Sequence, residues 1–183
     1  MQTDLALDRK AMRAPGRNPS RWTKRTTVLV LTLIGLVVAA RLAAYQLHLA
    51  SLPPDPIFGA GTERVLDSPL SHWLPVPDAV LGASAYAAEA VLVVLGRNDR
   101  FRTAPLLVFA YAAVALGMGV TAVVLVLYQA IGLRSGCTLC LGSALLSLLL
   151  APPAFFEARA TLRERARRLG RRDSVSRRNA TVR

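Results

Sequence analysis

The sequence predicts an all-α membrane protein, a four-transmembrane-helix bundle with both termini cytoplasmic. Three observations predict it. Apolar residues make up 53% of the 183, and they come in four long blocks that leave little for a soluble surface. The formal charge of +12 is concentrated at the two ends and in one short turn. The only two cysteines stand three apart, Cys137 and Cys140, at the head of the last apolar block. So basic a chain, if soluble, would suggest nucleic acid. Here the arginines flank apolar spans without an aromatic-basic recognition motif, so no nucleic-acid partner is expected.

In order, residues 1–25 form a basic cytoplasmic tail with seven Lys and Arg, broken by Pro15, Gly16 and Pro19. Residues 26–50 are the first span, and a bilayer core asks for about 20 helical residues. The small residues Val38-Ala39-Ala40 resemble a signal-peptide cleavage site. Cleavage there would place the arginine-rich C-terminus outside, so an uncleaved helix is expected. Residues 51–78 form a proline-rich loop carrying four acids against one arginine, net −3. Residues 79–96 are the second span. A basic turn, 97–102, leads to the third span at 104–133, and Arg134-Ser135-Gly136 turns into the fourth at 137–156. Pro152-Pro153 is expected to kink the inner end of that helix. Residues 157–183 form a tail with ten arginines; Glu164 and Arg168 sit at helical pairing distance, and the last ten residues read as disordered.

Charge sets the topology. Both tails and the 97–102 turn belong inside; the acidic loop and the 134–136 turn belong outside. This places the C-x-x-C pair on the outer face of an inner (cytoplasmic) membrane.

Two thiols at that spacing close a disulfide within one turn. At a helix N-terminus the unsatisfied N–H groups favour the reactive thiolate. The expected role is a redox dithiol. The alternatives are an inert apolar pair and half of a metal site, but only His48 and His72 remain as further soft ligands, so no metal is expected. Within the spans, Arg41 and Glu89 are the two charges, and a buried ion pair between them is expected, with a proton path as the alternative. Gly117 and Gly119 indicate close packing of the third helix.

Several short segments resemble the vitamin K epoxide reductase family. Tyr45-Gln46-Leu47-His48 resembles the family's Tyr-x-Leu-His at the end of the first helix. Residues 64–73, Arg-Val-Leu-Asp-Ser-Pro-Leu-Ser-His-Trp, resemble its outer-loop segment, and Leu81-Gly82-Ala83-Ser84-Ala85-Tyr86 resembles the start of its second helix. The C-x-x-C opens the fourth helix as in that family, and the resemblance covers about residues 26–156. It implies a quinone, menaquinone or ubiquinone, held in the bundle. It also implies that Cys140 passes electrons to that quinone while Cys137 exchanges thiols. A thioredoxin-like dithiol protein on the outer side would be the electron donor. Human-type members carry a Tyr after the motif where this chain has Ala144, so a bacterial-type quinone is expected rather than vitamin K epoxide.

The chain departs from the family in its outer loop, which has no cysteine. The two relay positions fall on Thr62 and near Pro54, so either a partner meets Cys137 directly or the chain is an engineered or diverged form without its relay. Ser68 matches the family's loop serine, and Asp78 falls near its quinone-binding Asn. Phe58 and Trp73 are further candidates to line the pocket. Each has a plainer reading: Ser68 as a turn residue before Pro69, Asp78 as an N-cap, Trp73 as an interface anchor. The function expected is a membrane thiol–disulfide oxidoreductase passing electrons to a quinone. The alternative is a non-enzymatic membrane binding or assembly subunit with a structural disulfide.

Overall fold

The structure, a computed structural model, describes residues 22–52, 54–69, 71, 75–96 and 100–181, with the backbone alone for 171–181. It is helical throughout, and among the described residues the one β feature is an isolated bridge between Asp55 and Gly59. The helices are α1 (Trp22–Gln46), α2 (Gly61–Leu66), α3 (Asp78–Val94), α4 (Arg100–Thr103), α5 (Pro105–Leu127) and α6 (Thr138–Thr181). A π-helical turn, Tyr128–Leu133, prolongs α5. Three helical stretches are long and apolar enough to cross a membrane: Trp22–Gln46, Pro105–Leu133 and Thr138–Gly170. Helix α3, at 17 residues, lies beside them. α1 packs on α3 and α6, and α5 packs on α3 and α6, which closes a ring of four.

Three contacts set the antiparallel register of α1 and α3. Arg25 reaches the Val93 carbonyl, Gly35 lies under the Tyr86 ring, and the Ala79 N–H donates to Gln46 Oε1 at 3.0 Å. Gly35 is needed there, because a Cβ would overlap the Tyr86 ring. Gly35→Ala is therefore expected to destabilise the bundle by about 1–3 kcal/mol, the usual cost of overpacking a filled core. A thermal unfolding scan of the detergent-purified variant checks this; an unchanged midpoint would mean that the helices separate freely. Gly119 similarly lets α5 approach Ala151 of α6, whereas Gly117 faces open space.

Several expectations are corrected. α1 stops at Gln46, short of residue 50, because His48 takes a left-handed conformation (φ 57°) and Leu49 N–H bonds back to Ala44 O at 2.8 Å. Asp78 is the first residue of α3, with Pro77 at the cap position. α6 runs 44 residues to Thr181, with Pro152-Pro153 inside it, and enters the segment expected to be disordered. Packing holds it past the prolines, since Leu150, Ala154 and Glu157 are all buried against the bundle. On its exposed face Glu164 pairs with Arg168 at 3.4 Å, as the spacing indicates. The basic tail expected at 1–25 lies mostly outside the described residues, but α1 begins within it at Trp22.

Arg41 and Glu89 do not meet. The buried positions of α1 run 25, 28, 32, 35, 39, 42, 43 and 46, and Arg41 is exposed on another face. The register sets Thr32, not Arg41, level with Glu89.

Two other cations are buried instead, Arg25 and Arg100, at 3% and 1% exposure. Both close the C-terminus of α3. Arg25 donates to the carbonyls of Val93, Val94, Leu95 and Gly96. Arg100 donates to Leu92, Val93 and Leu95 and grips Glu157 of α6 through two 2.7 Å bonds. Those last carbonyls have no partner within the helix, and guanidinium forks satisfy them where water is scarce.

Candidate active site

The helix mouth is assembled from α6, the π turn and the loop between α1 and α3. Arg134 turns the chain in a left-handed conformation (φ 48°), and α6 then begins at Thr138. Cys137 occupies the residue just before it, outside the spanning helix. Its Sγ accepts the Cys140 N–H at 3.1 Å, the bond that an N-cap side chain makes to the third helical residue. Its own N–H donates to Gln129 Oε1 at 3.2 Å. Both cysteines are free thiols; Cys137 is fully buried and Cys140 partly exposed.

That loop seals the mouth through Asp55. Its carboxylate accepts from five donors: the N–H groups of Ile57 and Phe58, the Thr62 hydroxyl, and both the N–H and the hydroxyl of Thr138. The two bonds to Thr138 are 2.8 and 2.6 Å. Burial works against charge on this carboxyl, but the bonds from Thr138, Thr62 and Phe58 outweigh it and hold Asp55 well below the ordinary carboxylate range. A lowered value means that the stabilisation is complete above the ordinary carboxylate range and is lost only as pH falls through the lowered one. The latch therefore persists through mildly acidic conditions.

Cys137 feels this neighbourhood. Its hydrogen bond with the Cys140 side chain, helped by the Thr62 hydroxyl and the Cys140 N–H, outweighs burial and the nearby Asp55 charge. The thiol is held below its ordinary range. A more acidic thiol is the better leaving group when a disulfide is attacked.

Thr62, one of the two relay positions expected in the loop, thus lies against Cys137. In a Cys140→Ala background, Thr62→Cys is expected to close a disulfide with Cys137 under mild oxidation. Peptide mapping with and without reductant checks this; two free thiols after oxidation would separate α2 from the helix mouth.

Behind Cys140 a cavity of about 630 Å³ opens into the bundle. Its wall is mainly apolar, from Leu42, Leu66, Ala113 and Val114 among others, and Ala144 and Gly117 contribute to its width. A few polar groups converge on it: Asp78, Gln129, Tyr86, Ser143 and Ser147. Tyr86 Oη donates to the Ser143 carbonyl at 2.8 Å and lies 2.8 Å from Ser147 Oγ. Asp78 is held by Gln46 Nε2 at 2.7 Å and by the Ser71 hydroxyl at 3.3 Å.

The candidate residues fall in different places. Cys140 and Asp78 line the cavity. Ser68 is buried and sits one step away, its hydroxyl 3.3 Å from that of Ser71. Phe58 lies outside the mouth with its ring against Gly136, and is 40% exposed. Trp73 lies outside the described residues. Cys137, expected to meet a partner at the surface, is covered by α2, because Asp55 ties the loop down. Asp55, Gln46 and Gln129 were not singled out as site residues from the sequence. The two glutamines carried a signal, lone polar side chains near the ends of apolar spans. Asp55 carried only its local turn, since Thr138 is 83 residues away.

An apolar slot of this size, with a thiol in its wall and a few polar groups, suits a flat, lipid-soluble ring with carbonyl oxygens. The profile of the Vitamin K epoxide reductase family matches residues 26–155. A search of the curated proteins returns no match.

Proposed function

The chain belongs to the vitamin K epoxide reductase family, whose members are membrane thiol–disulfide oxidoreductases linked to quinones; from that premise we propose that it oxidises a partner dithiol through Cys137 and Cys140. The observation that carries this reading is the partly exposed Cys140 in the wall of the cavity, with Cys137 stacked behind it toward the loop. The bundle would span the inner membrane four times, with α3 as the second and shortest span. Its termini would lie inside and its helix mouth outside. The acidic loop at one end and the arginines at the other support this orientation.

In the oxidised protein a partner thiolate from a thioredoxin-like protein attacks the Cys137 sulfur. The Cys137–Cys140 bond breaks and Cys140 leaves toward the cavity. The partner's second thiol then displaces Cys137 and leaves as a disulfide. A bound quinone, menaquinone or ubiquinone, supplies the capacity to accept two electrons and two protons. Cys140, Gln129 and Asp78 would hold and orient its ring, and the apolar wall excludes water. With no loop cysteine, the partner must displace α2 to reach Cys137.

The test is direct. Detergent-purified protein with decylubiquinone and reduced thioredoxin should bleach the quinone absorbance at one quinone per dithiol. No bleaching above the protein-free rate would leave the alternative, a membrane binding or assembly subunit with a structural disulfide.

A further inference from the structure

Glu89 is fully buried, and neither carboxylate oxygen has a hydrogen-bond partner among the described residues. The register of α1 sets Thr32 at its level, also fully buried and with its hydroxyl unpartnered. An ionised carboxylate without donor or counter-ion is costly in an apolar interior, and a proton removes that cost. Polar groups continue above and below. One turn outward on α3 is Tyr86, whose hydroxyl lies on the cavity with Ser143 and Ser147. Toward the other end lies Tyr111 of α5, buried and within electrostatic range of Glu89, Glu157, Arg100 and Arg25. The Arg100 guanidinium stacks 5.1 Å from its ring centre. From the cavity to the Arg25–Arg100–Glu157 layer the interior thus holds a column of polar side chains, with Glu89 midway. Tyr86, Arg25, Arg100 and Glu157 have partners that account for them; Glu89 and Thr32 do not.

We propose that Glu89 relays protons from the cytoplasmic end of the bundle to the cavity. The inference rests on the quinone reading above. Forming a disulfide from two thiols releases two electrons and two protons at the outer face, and making a hydroquinone consumes two of each. Glu89 gives up its O–H proton by way of the Tyr86 hydroxyl, an O–H bond forms on the quinone oxygen, and Glu89 is reprotonated from the inner side. Electrons then enter from outside and protons from inside, so turnover moves charge across the membrane. Glu89 touches neither thiol nor quinone; it is a positioning residue for the proton.

The experiment uses the full chain in vesicles containing decylubiquinone, with a pH-sensitive dye trapped inside and reduced thioredoxin added outside. Only molecules with outward thiols turn over. The wild type is expected to make the lumen alkaline by one to two protons per quinone reduced. Glu89→Gln is expected to slow quinone reduction about a hundredfold and to abolish the alkalinisation per quinone. Glu89→Asp keeps the acid and should retain the ratio, which covers a glutamine variant that fails to assemble. Infrared difference spectra on reduction should show a carboxylic-acid band that Glu89→Gln removes. Alkalinisation at the wild-type ratio in Glu89→Gln, or none in an active wild type, overturns the relay. A wild type that reduces no quinone overturns the redox reading instead.

Discussion

Replacing Cys137 or Cys140 with Ala is expected to lower dithiol-to-quinone turnover about a thousandfold or more, because neither sulfur can close a disulfide alone. The two variants should differ in their remaining thiol. In Cys137→Ala the surviving Cys140 opens onto the cavity, so an apolar maleimide should modify it readily. In Cys140→Ala the surviving Cys137 lies beneath α2 and Thr62, and modification should wait for the loop to lift. Quinone absorbance gives the turnover and mass spectrometry the modification. Wild-type turnover in either variant would reduce the pair to a structural fastening.

The second large effect is expected at the opposite end. Glu157→Ala strips Arg100 of its carboxylate while leaving the guanidinium buried, with side-chain exposures of 1% for Arg100 and 4% for Glu157. Breaking a buried pair from one side costs about 3–5 kcal/mol, which lowers the unfolding midpoint by roughly 10 °C. Arg100→Met with Glu157→Leu should recover much of this, because apolar replacement of both partners is often neutral. A scan of the three variants in one detergent decides it. A midpoint in Glu157→Ala equal to wild type would show that the carbonyls of α3 suffice to hold Arg100.

These two ends show why some of the molecule could be read from the chain and some could not. Apolar runs near bilayer length announce helices directly, and a lone cysteine pair at the head of one marks where the candidate site lies. The resemblance also led to Thr62, which the fold sets against Cys137. Charge placement was legible only in sum. It put Arg25 and Arg100 among topology anchors, but each is spent on the carbonyls of α3, contacts that need the register of α1, α3 and α6. The Arg41–Glu89 pairing failed for the same reason. Counting residues from helix ends gives depth but not facing, and facing put Arg41 outside and Glu89 inside. The composition of the last ten residues reads as disorder, whereas α6 continues to Thr181.

Asp55 has a consequence for how this protein can vary. Its carboxylate answers at once to Thr62 in the loop and to Thr138 between the cysteines. The three residues are therefore expected to vary as one unit. Among descendants, Thr62 or Thr138 should exchange with Ser, which keeps the hydroxyl, and neither should drift alone once Asp55 is lost. Two segments far apart in the gene are thereby expected to share one mutational fate.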